Sequence, residues 1–84
     1  AVISTNPNPV VDVSNVSIAM SEAANVQLEV FDLTGKRLGL IYAGTAESQV
    51  HYNFQFDTSH LPQGIYIYKL STESEVKTVK FLKN

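Results

Sequence analysis

A two-residue alternation of apolar and polar side chains recurs along this chain, and nowhere does a 3.6-residue apolar period persist. Val50, Tyr52, Phe54 and Phe56 alternate with His51, Asn53 and Gln55. Successive strand side chains point to opposite faces, so this pattern sets three aromatic rings on one face and polar groups on the other. Val26, Leu28 and Val30 alternate in the same way with Gln27 and Glu29, and Phe31 interrupts the polar face at the end. These runs predict strands that are covered on one side and wet on the other, and they leave no segment to read as a helix.

Turn chemistry divides the chain at intervals of about 8–12 residues. Asp32-Leu33-Thr34-Gly35-Lys36 reads as a hairpin loop in which Gly35 is free to take positive φ. Asp57 to Gly64 is a loop built on Pro62 and Gly64, and Ser71 to Ser74 is a polar turn. The segments between predict strands near 10–13, 15–20, 26–32, 37–42, 49–57, 65–70 and 75–83. Pro7 and Pro9 fix φ and bias Asn6 and Asn8 toward extended backbone, so residues 1–9 read as a linker and leading turn. Residues 10–84 then form one domain. The expected fold is all-β: an Ig-like antiparallel β-sandwich of about seven strands. Its expected core includes Val26, Leu28, Val30, Tyr52, Phe54, Phe56, Tyr66 and Leu70.

Composition agrees with a globular domain, with 44% apolar and 17% charged residues in 84. A net charge of −2 gives no sign of nucleic-acid binding. Without cysteine there is no disulfide framework and no thiolate metal site. No apolar run reaches the roughly 18–20 residues of a membrane-spanning helix, so no membrane insertion is expected. The chain reads as a piece of a longer protein.

Ingredients for catalysis are sparse. His51 falls on the polar face of a strand and reads as solvated. Asp57, Ser59 and His60 are triad residue types, but they share one short loop, whereas a triad needs groups converging from separate elements. Asp57 and Ser59 suit local bonds to backbone amides. The carboxylates are scattered and match no calcium loop. Asn15-Val16-Ser17 is a formal glycosylation sequon. We expect no catalytic residue, no metal and no cofactor. The aromatics Tyr52, Phe54, Phe56, Tyr66 and Tyr68 suggest a sugar-stacking platform on one reading and core or cross-strand packing on another; packing is the stronger.

The tail is uneven in charge. Residues 76–84 carry Lys77, Lys80 and Lys83 and no acid, which is half of the chain's six basic residues. Lysines on an edge strand discourage edge-to-edge aggregation, and they also offer a positive surface to a receptor.

Three segments in order then resemble the C-terminal sorting domain of type IX secretion substrates of the Bacteroidota. Asn6-Pro7-Asn8-Pro9 resembles the family's x-P-N-P opening. Val26 to Lys36 resembles its strand and D-x-x-G-[KR] turn, with Asp32, Gly35 and Lys36 at the motif positions. Leu61 to Leu70 resembles its L-P-x-G-x-Y-x-Y-x-L signature, with Leu61, Pro62, Gly64, Tyr66, Tyr68 and Leu70 in place. The motif residues Pro7, Asn8 and Pro9 follow Asn6, where the family often has an aromatic, and the chain ends FLKN with a polar residue after Lys83.

The resemblance implies a folded secretion signal. A cargo joined N-terminally in cis would be carried through the periplasm and across the outer membrane to the cell surface or medium. The partners would be the outer-membrane machinery and a sortase-like peptidase that removes the domain. Recognition would fall on Lys77, Lys80, Phe81, Leu82 and Lys83 of the last strand. The alternative is a non-catalytic Ig-like or fibronectin-like accessory or carbohydrate-binding module; an enzyme fragment is a weaker third reading.

Overall fold

A computed structural model describes residues 1–84. Alternation builds seven strands: β1 (Val2–Asn6), β2 (Val13–Ala19), β3 (Ala24–Asp32), β4 (Arg37–Ala46), β5 (His51–Asp57), β6 (Gly64–Ser71) and β7 (Val76–Lys83). They form two antiparallel sheets, a three-stranded sheet in the order β1-β2-β5 and a four-stranded one in the order β4-β3-β6-β7. There is no helix. The fold is the expected all-β sandwich with the expected strand number.

The first strand lies elsewhere than expected. Residues 2–6 are not a free linker: they pair with β2 from Val2 opposite Ala19 to Asn6 opposite Asn15. The proline-rich segment after them is a bend rather than an extended spacer, with cis bonds at Asn6–Pro7 and Asn8–Pro9. The predicted strand at 10–13 reduces to a single parallel bridge from Val10 to Lys83. Prolines flanking residue 8 masked the short alternation of Val2 to Asn6 before them.

Inward side chains meet between the sheets. Val16 and Ile18 of β2 face Val26, Leu28 and Val30 of β3, Tyr66, Tyr68 and Leu70 of β6 and Phe81 of β7, all buried. Val10 and Met20 close the core at its ends. Each fully buried aliphatic or aromatic side chain contributes roughly 1.5–3 kcal/mol of transfer free energy. Tyr52, Phe54 and Phe56, expected in the core, are only half buried. They stand on β5, an edge strand, where one flank has no neighbour. Tyr42 of β4 stacks on Phe54 at 5.2 Å and on Tyr52 at 6.3 Å, closing the sandwich on that side. Two register shifts between β3 and β4, at Leu28/Glu29 and Val30/Phe31, interrupt that ladder.

Candidate functional site at the C-terminal strand

β7 is an edge strand, hydrogen-bonded only to β6 within its sheet. In an antiparallel pair, alternate residues turn their N–H and C=O away from the partner. Leu82 is one of these. Its N–H donates to Asn8 Oδ1 at 2.9 Å and its carbonyl accepts from Val10 N–H at 2.7 Å. Asn84 N–H donates to the Val10 carbonyl at 3.0 Å. The end of the β7 edge is therefore covered by residues 8–10. Two positions apart, Lys80, Thr78 and Val76 turn the same backbone groups outward, and these have no hydrogen-bond partner in the chain.

The side chains of the tail separate by parity. Val79, Phe81 and Lys83 face inward, and Val76, Thr78, Lys80 and Leu82 face out. Lys77 shares the inward parity but lies at the start of the strand and is exposed. Of the five residues expected to be read by a receptor, Lys77, Lys80 and Leu82 are accessible, and neither Lys77 nor Lys80 is in an ion pair. Phe81 and Lys83 are not accessible: they are 1% and 7% exposed. Phe81 is stacked between Tyr68 at 4.7 Å and Tyr66 at 5.6 Å.

Lys83 departs most from a surface lysine. Its Nζ donates to the Thr58 carbonyl at 2.9 Å and to the Val11 carbonyl, and approaches Thr58 Oγ1 at 3.4 Å. A buried ammonium is tolerated only when its three donors find acceptors, and here two backbone carbonyls and the Thr58 hydroxyl supply them. Thr58 is buried too; its N–H and hydroxyl both bond the Asp12 carbonyl, at 2.7 and 2.6 Å. Sequence reading missed Thr58 and the buried Ser14, because both carry signals only in tertiary pairing. Ser14 Oγ accepts from Tyr68 Oη at 2.6 Å. Burial raises the Tyr68 pKa, and the bond to Ser14 partly offsets that.

The remaining motif residues shape turns. Asp32 Oδ1 accepts from Thr34 Oγ1 at 2.6 Å, Thr34 N–H at 2.9 Å and Lys36 N–H at 3.0 Å. The Thr34 hydroxyl is the main reason its pKa lies below the usual carboxylate value, with the backbone amides adding to it. Gly35 sits at φ 89°, a conformation side chains resist. In the second motif Pro62 and Gly64, the latter at φ 155°, lead into β6, and Tyr66 Oη bonds the Pro62 carbonyl at 2.6 Å. Leu61 is half buried against the core, Tyr68 and Leu70 lie within it, and Lys36 and Pro62 are exposed. Pro7 and Pro9 are exposed around Asn8, which holds the end of β7.

Asp57, Ser59 and His60 make a local turn. Asp57 Oδ1 accepts from Ser59 N–H at 2.8 Å, and that bond leads the lowering of its pKa. His60 stands edge-on to Phe56 at 6.3 Å, and His51 is exposed. No group of three or more His or carboxylate side chains is placed to hold a metal ion.

A comparison with curated proteins gives no match. The family model for the secretion system C-terminal sorting domain matches residues 4–84. That span runs from β1 to the end of β7 and takes in all three motif segments. The chain belongs to this family, that of the type IX secretion C-terminal sorting signals.

Proposed function

We propose that the domain carries a cargo joined to it in cis from the periplasm across the outer membrane through the type IX machinery, and that β7 is the element the machinery reads. One observation carries the second half. The outward backbone of Val76, Thr78 and Lys80 makes no hydrogen bond, although β1 runs close beside it, and Lys77, Lys80 and Leu82 are exposed on the same edge strand. Open strand edges accept a polypeptide by strand addition, and unpaired lysines favour an acidic one. Phe81 and Lys83 enter this reading through the fold, since they hold β7 in place. Removal of the domain by a surface sortase-like peptidase completes the proposal.

The test is a reporter with an N-terminal export signal, fused to residues 1–84 in a host that has the secretion system. The fusion should reach the surface or medium and lose a mass equal to the domain. Lys77→Glu with Lys80→Glu should retain the melting temperature and lose export. Normal export of that folded variant would remove β7 as the element read, and export at full mass would remove the peptidase.

A further inference from the structure

The outer face of the four-stranded sheet is unusual for a wet surface. Cross-strand register places Arg37, Phe31, Ile67 and Lys80 in one row, with Ile65 opposite Leu82 nearby. Ile65 and Leu82 are 42% and 41% exposed, and Leu33, at the mouth of the adjoining turn, is 59% exposed. Phe31 interrupts the polar face of β3, yet no other element covers it; the Lys69 ammonium lies 5.5 Å from its ring centre. Phe31, Asp32, Leu33, Ile67, Lys69 and Thr78 line a shallow groove of about 360 Å³, and the Asp32 carboxylate is turned into its own hairpin by Thr34 and the Lys36 amide.

Charge on this face opposes that of the chain. The net charge of the whole is −2, whereas the face presents Arg37, Lys69 and Lys80 against Glu29. Glu29 is engaged by Arg37 at 3.4 Å; Lys69 stands opposite Glu29 in register without an ion pair to it, and Lys80 has no carboxylate partner. The outer face of the other sheet, with Ser4, Asn6, Asn15, Ser17, Asn53 and Gln55, has no cation and serves as an internal contrast.

We infer that this face docks an extended, acidic polypeptide segment that lays apolar side chains on Phe31, Ile65, Ile67 and Leu82 while its carboxylates meet Lys69 and Lys80. The inference rests on the sorting reading and names the chemistry of the partner. Two features select a polypeptide over an anionic lipid surface. The apolar groups are flat strand side chains, suited to an extended backbone lying across them. The face is also continuous with the β7 edge, where Val76, Thr78 and Lys80 carry N–H and C=O groups without hydrogen-bond partners that a peptide backbone matches in register.

The experiment uses the exported reporter fusion with a photocrosslinking phenylalanine analogue at position 67 and, as a control, at position 53. Position 67 should give an adduct during export, and position 53 should not. The crosslinked peptide, sequenced by mass spectrometry, should carry more Asp and Glu than Lys and Arg. Lys69→Gln with Lys80→Glu should lower adduct yield and exported reporter at least tenfold, while Ser17→Glu changes neither and all variants keep their melting temperature. An adduct with lipid, with a second copy of the fusion or with a basic segment would overturn the inference. So would export of the Lys69→Gln, Lys80→Glu variant at the parent level. A fusion never exported in any form overturns the sorting reading and this inference together.

Discussion

Lys83 Nζ lies 2.9 Å from the carbonyl oxygen of Thr58, which ties the last strand to the loop that follows β5. The same ammonium reaches Val11, and Asn8 and Val10 hold Leu82. Three separate parts of the chain therefore meet at the end of β7.

Lys83 and Lys80 should behave as different kinds of residue. Lys83→Met keeps the buried stem but leaves the Val11 carbonyl without a donor and the Thr58 carbonyl with Leu61 N–H alone, so it should cost about 1–3 kcal/mol. Lys80→Met touches only solvent and should fall within about 0.5 kcal/mol of the parent. Urea denaturation of the two variants measures both. Equal effects would remove the tie between β7 and the Thr58 loop that rests on Lys83.

Tyr68→Phe should cost about 1–2 kcal/mol by leaving the buried Ser14 hydroxyl without its donor. Burial raises the Tyr68 pKa, so folding favours its neutral form. That contribution is complete below the unfolded value near 10 and is lost as pH rises through the folded value. Melting temperatures across pH 9 to 11.5 should fall for the parent and fall less steeply for Tyr68→Phe.

The Asp32 turn should show the opposite dependence. Its carboxylate is held below the usual value, first by the Thr34 hydroxyl. The stability it adds is present above the unfolded value of about 3.9 and lost as pH falls through the folded one. Asp57 shifts in the same direction. Asp32→Asn should therefore flatten part, not all, of the loss of melting temperature below about pH 4. Gly35→Ala should cost about 1–2 kcal/mol from its positive φ alone, since a Cβ there meets nothing within 4 Å.

Phe81→Ala should cost about 3–5 kcal/mol, because the ring is fully buried between two tyrosines. Phe54→Ala should cost roughly half as much, because its ring is only partly covered and its edge position lets the site relax. Calorimetry of the two variants ranks them; the reverse order would place the main core on β5.

Much of the fold was legible in the alternation. Val26, Leu28, Val30, Tyr66 and Leu70 were assigned inward from parity, and they lie inward. Tyr52, Phe54 and Phe56 have the same parity and are less buried, since parity specifies a face but not whether a strand is central or at an edge. The strand at Val2–Asn6 was hidden because the prolines after it read as a spacer, while its partner β2 lies across the bend. The parity of β7 was legible and its outcome was not. Lys77, Val79, Phe81 and Lys83 share a face by alternation, and only the carbonyls of Val11 and Thr58 make a buried lysine tenable at its end.

The clasp between Asn8 and Leu82 joins residues 74 positions apart. Such contacts form only after a long loop has closed, which slows folding relative to local pairing. Synthesis delivers Asn8 first and β7 last among these strands, so the clasp waits for the final strand to emerge. Until then β6 stands as an open edge and Val10 has no partner for its own backbone groups. In the timing of its folding the domain reports on its own completion: the unpaired backbone of β7 takes its place only when all seven strands are present.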